Sequence, residues 1–86
     1  MKLNGNYITK KIGDEYYAVP LSGGTEFNFM IRLNETGAFL FDKLADADGK
    51  NELVDALISE YAVDRTQAES DVSEFIKAMK EAKILD

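Results

Sequence analysis

Within Met30–Leu44, MIRLNETGAFLFDKL, the hydrophobic period changes at a single residue, and that change limits what the chain can build. Before Asn34, Phe29, Ile31 and Leu33 alternate with Met30 and Arg32, the two-residue period of a half-buried strand. After it, Gly37, Leu40, Phe41, Leu44 and Ala45 fall on one side of a helix. Asn34 is the hinge. Its side-chain oxygen can accept from the free backbone N–H groups of the following turn, and Glu35 then sits at the positive end of the helix. A strand feeding directly into an amphipathic helix needs strands beside the first and helices over the second.

The flanking sequence supplies both. Tyr7–Ile12 and Glu15–Leu21 read as two strands around Gly13-Asp14, a two-residue loop beginning with Gly that suits the primed hairpin turns. This loop puts Ile8 opposite Val19 and Lys10 opposite Tyr17 on one face, with Tyr7, Thr9, Tyr16 and Ala18 on the other. Pro20 has no N–H, so pairing on its N–H side stops there. Ser22-Gly23-Gly24-Thr25 is a connector with turn chemistry, and a third strand falls within Glu26–Leu33. A meander of three strands leaves the third with one unpaired edge, which water, a helix or a further strand from another chain can satisfy.

Three helices follow. The first is expected over Glu35–Ala45, stopped by Asp46-Ala47-Asp48-Gly49 with its Gly past the end. Phe39 lies about 160° from the centre of its buried stripe at ~100° per residue, so either the N-terminal segment covers it or it marks a partner surface. The second spans about Lys50–Tyr61, with Leu53, Val54, Leu57, Ile58 and Tyr61 on one stripe. The third spans about Arg65–Lys83. Asp64 with Gln67, or Thr66 with Glu69, has capping-box spacing. Ala68, Val72, Phe75, Ile76, Met79 and Ala82 form its apolar stripe, and Ile84-Leu85 close onto the core. The expected architecture is one α+β domain over residues 1–86, winged-helix-like, with an N-terminal three-stranded antiparallel meander followed by three helices.

Composition removes several functions. With no Cys and no His among 86 residues, the commonest nucleophile, general base and zinc ligands are missing, and a cytoplasmic setting is expected. No apolar run approaches a membrane span, and the N-terminus lacks a signal-peptide apolar core. There is no P-loop or dinucleotide fingerprint, and DKLADADG lacks the spaced ligands of a calcium loop. No cofactor, metal or catalytic residue is therefore expected. A net charge of −6, from 16 acidic and 10 basic residues, argues against nucleic acid as a partner. The third helix balances Arg65, Lys77, Lys80 and Lys83 against Glu69, Asp71, Glu74 and Glu81, which is no basic face.

From LNETGAFLFDKL through ELVDALISEY to EFIKAMKEAKIL, the chain resembles the PqqD family, the coenzyme PQQ synthesis protein D-like domains also called RiPP recognition elements. The resemblance covers roughly Tyr7 to Leu85, and Leu33-Asn34-Glu35-Thr36-Gly37 is its most specific part. Phe41 stands where members often carry Trp, and the usual Thr opening the second helix is absent near Lys50-Asn51. The resemblance implies a non-catalytic module that takes the leader of a ribosomally synthesised precursor peptide as an added strand. It then presents that peptide to a modifying enzyme, often a radical S-adenosylmethionine (SAM) maturase. Carried onto this chain, Phe29, Met30, Ile31, Arg32 and Leu33 would pair with the leader. Val72, Phe75, Ile76 and Met79 would line the opposite wall, with Arg32 and Lys80 available for acidic leader residues. Two readings from other classes stay open: a winged-helix nucleic-acid-binding regulator, and a dimerisation or interaction domain without a peptide ligand.

Overall fold

The computed structural model describes residues 1–21 and 30–85. Its elements are β1 (Tyr7–Ile12), β2 (Glu15–Pro20), β3 (Ile31–Leu33), α1 (Glu35–Leu44), α2 (Lys50–Tyr61) and α3 (Arg65–Glu81). The strands form one antiparallel sheet in the order β1-β2-β3. The α+β class and the strand-then-helix order are those expected. The connector and the expected third-strand residues Glu26–Phe29 lie outside the described residues.

Hairpin register follows from its loop. Gly13 takes φ 63°, the left-handed conformation a primed turn requires, and Ile8 pairs with Val19 and Lys10 with Tyr17. Leu33, Ile31, Tyr16 and Ala18 therefore share one face of the sheet, and α1 packs on it across all three strands. Helices α2 and α3 pack on α1 and on each other, so all the helices lie on one side of the sheet. The core between the layers is apolar: Ala18, Leu40, Leu44, Leu53, Val54, Leu57, Ala68, Val72 and Ile84 are all fully or almost fully buried. No polar or charged residue is buried among those described.

Helix boundaries report the capping chemistry. Asn34 is extended and its Oδ1 accepts from the Gly37 amide at 2.6 Å, as the change of period predicts. A Cβ on Gly37 would come to 3.0 Å from that oxygen, so the cap and the glycine are fitted to each other. Helix α1 ends at Leu44, before the expected Gly stop. Ala45 is its right-handed cap and is exposed, while Ala47 turns into the core. Gly49 instead opens α2 in an extended conformation without a side-chain cap. Asp64, rather than Thr66, caps α3, accepting from the Gln67 amide at 2.8 Å.

The end of α3 is a Schellman turn. Lys83 is left-handed at φ 64°, its amide donates to Lys80 O, the Ile84 amide donates to Met79 O, and Ile84 packs inward. Ala82 is consequently exposed rather than part of the buried stripe. The N-terminal segment is tied to this turn, with Leu3 bridging Leu85 and the Asn4 amide donating to Ile84 O at 2.7 Å. The Met1 amine donates to Leu44 O and Ala47 O. Phe39 is thus covered by something else than that segment: the Tyr61 ring meets it edge-on at 5.5 Å, and Lys43 lies over its face.

Ala62, which ends α2, is left-handed at φ 54° and donates to Ile58 O. A Cβ in that conformation costs about 1–2 kcal/mol. Ala62→Gly is expected to raise stability by roughly 0.5–1 kcal/mol after the larger entropy of the unfolded glycine is included. The midpoint of a urea melt followed by circular dichroism checks this.

Candidate functional site

The ladder register leaves one row of backbone groups on the sheet without a partner strand among the described residues. The Leu21 amide donates to Asn6 O, so these opposed residues form a hydrogen-bonded pair. In an antiparallel ladder such pairs alternate, so Val19, Tyr17 and Glu15 point their amides and carbonyls at β1. Tyr16 and Ala18 then point theirs at β3, where they meet Leu33 and Ile31. Arg32, between those two, directs its N–H and C=O away from β2. The outer margin of β3 has no partner strand among the described residues.

Beside that margin runs a groove of about 320 Å³ between β3, the start of α1 and α3. Ile31, Leu33, Leu40, Phe75 and Met79 give it an apolar floor, and Asn34, Thr36 and Gly37 form one end. The α3 wall carries Ala78 and two carboxylates, Asp71 and Glu74. Phe75 and Met79 are 7% and 2% exposed, so they belong to the core as much as to the groove. Ile31 is half-buried and Ala78 exposed, which makes these the apolar side chains with surface left to cover.

The residues singled out from the sequence separate into groups. Ile31, Arg32, Leu33, Phe75 and Met79 border the groove. Met30 is half-buried just ahead of β3, and Phe29 lies outside the described residues. Val72, Ile76 and Lys80 do not line the groove: Val72 is wholly buried, Ile76 packs against the core and Lys80 is exposed. The three form one i, i+4, i+8 row, and the groove is walled by the adjacent row of Asp71, Glu74, Phe75 and Ala78. Sequence reasoning missed Asp71, Glu74, Ala78, Thr36 and Gly37. The apolar stripe marks what faces the core, whereas a groove wall is a flank of that stripe.

Arg32 is not aimed into the groove. Strand alternation sends its side chain to the helix-free face of the sheet, where it pairs with Glu15 at 2.8 Å beside Tyr17. The Tyr17 hydroxyl donates to the same carboxylate at 2.5 Å, and this bond holds its phenol pKa above the usual 10.0. Elsewhere, Arg65 is engaged with Asp55 at 2.8 Å, tying the start of α3 to α2. No group of three or more His, Cys, Asp or Glu side chains suited to a metal ion occurs among the described residues. No described helix is long and apolar enough to cross a membrane.

The family profile of coenzyme PQQ synthesis protein D (PqqD) matches residues 8–85. The chain belongs to the PqqD family. Among solved structures, this PqqD-family chain is similar to TbiB1 in complex with the TbiA(beta) leader peptide. The two share 29% identity at a TM-score of 0.73, over 100% of this chain and 95% of that one. No match was found among curated proteins. A second hollow of this PqqD-family fold, about 460 Å³, lies on the β1 side between Lys10, Lys11, Tyr16, Phe39, Asp42 and Tyr61. Charged and aromatic side chains line much of it, in contrast to the apolar floor beside β3.

Proposed function

We propose that this chain is a non-catalytic, winged-helix-like peptide-recognition domain spanning residues 1–86. In this reading it captures the leader of a ribosomally synthesised precursor by adding it to β3, and presents it to a separate modifying enzyme in the cytoplasm. A radical SAM maturase is the partner the family suggests. The observation that carries the reading is the outward-facing Arg32 amide and carbonyl beside a groove floored by Leu33, Leu40, Phe75 and Met79. An extended peptide satisfies the backbone groups while its alternate side chains enter the groove. The similarity to TbiB1, solved with a leader peptide, supports the same class of ligand.

Amide-shift NMR with the leader of a candidate precursor peptide tests the proposal. Shifts are expected at Ile31–Leu33, Gly37 and Asp71–Met79. Shifts confined to the β1 hollow, or none at saturating peptide, would overturn it. A second reading, self-association, draws on Ile8 and Ile12, which are 43% and 50% exposed on the helix-free face of the sheet. A sedimentation mass that rises with concentration, without any response to leader, would favour that one.

A further inference from the structure

The strand-capture reading leaves open which peptide the groove prefers, and the charges around it address that question. The ionic residues bordering the groove are Arg32, Asp71 and Glu74. Arg32 is paired with Glu15 on the opposite face of the sheet. The two carboxylates stand one turn apart on α3, at i and i+3, where like charges are neighbours. Asp71 accepts from the Gln67 side chain at 2.8 Å, and neither carboxylate is in an ion pair among the described residues. The wall facing an added strand is therefore acidic, on a chain whose net charge is already −6.

Resting on that reading, we infer that the groove selects an extended peptide whose α3-facing side chains are apolar with one Lys or Arg set against Asp71 and Glu74. This reverses the acidic-leader preference expected from Arg32 and Lys80. Parity decides it. In a strand added to β3, residues of one parity face α3 and meet the carboxylates, whereas residues of the other parity face outward toward Arg32 and Glu15. An acidic residue on the inward parity would meet two like charges beside an apolar floor. A cation there would relieve their mutual repulsion and keep its stem on Ala78.

The test uses the full chain and a displayed library of random decapeptides. The enriched pool is expected to carry Lys or Arg at one position, with apolar residues two positions away. A synthetic consensus peptide with that cation changed to Gln is expected to bind roughly two- to fivefold more weakly at low salt, the upper part of the range for exposed ion pairs. The difference should vanish in Asp71→Asn/Glu74→Gln, both partly or fully exposed positions where folding is retained. A pool without basic residues, a Gln peptide that binds equally well, or a preference surviving in the double variant would overturn the inference. Amide shifts tell the two claims apart. Shifts on β3 and α3 without cation preference defeat only the charge inference, whereas enriched peptides that map elsewhere defeat strand capture as well.

Discussion

Phe75→Ala is expected to leave the chain largely unfolded at 25 °C. The ring is 7% exposed and packs in the same cluster as Leu33, Leu40, Val72 and Met79. Truncating a buried Phe to Ala typically costs about 3–5 kcal/mol, through lost burial and the cavity left behind. A domain of this size with no Cys for a disulfide rarely has more than about 3–5 kcal/mol to lose. A urea melt followed by far-UV circular dichroism should show little or no folded baseline. A midpoint shifted by less than about 1 kcal/mol would mean that the ring is not a core element. Phe75→Leu keeps most of the volume, is expected to cost under about 1.5 kcal/mol, and stays folded enough for binding to be measured. Loss of peptide binding by Phe75→Ala alone therefore carries no information about the groove.

The same residue explains what the sequence could convey about the site. Elements governed by near neighbours were legible: Asn34 caps Gly37, Gly13 sets the hairpin register, and Asp64 caps α3. Each depends on residues within a few positions. The groove wall was not legible, because the apolar period locates the centre of the α3 stripe and leaves both flanks equivalent. Only the position of α3 across the groove from β3 selects the row of Asp71, Glu74 and Ala78 over that of Val72, Ile76 and Lys80. The placement of Arg32 on the helix-free face was legible, since strand parity sets it opposite buried Leu33, and the expected role at the groove passed over that signal. The tie of Leu3 and Asn4 to the α3 terminus joins residues some eighty positions apart and has no local signature.

Arg32→Pro is expected to abolish leader capture while the fold persists. The β2–β3 ladder is formed by Tyr16 with Leu33 and Ala18 with Ile31, so the Arg32 amide is not among its donors. Proline at an outward-facing edge position removes one donor from the free margin and places a ring where the proposed added strand would lie. Two changes accompany it: loss of the ion pair with Glu15, and loss of the charge itself. Arg32→Ala isolates both. The pair is exposed, at 71% and 41% for the two side chains, so its loss should cost under about 1 kcal/mol. Binding by the alanine variant should therefore stay within a few-fold of the parent, and the proline variant should bind at least tenfold more weakly, the equivalent of about 1.4 kcal/mol or one net backbone hydrogen bond plus the clash. Isothermal titration with leader peptide reads the affinities, and a urea melt confirms that both variants fold. Equal loss in the two variants would assign recognition to the guanidinium instead of the strand margin. Retention in both would remove β3 from the binding surface and turn attention to the hollow beside β1.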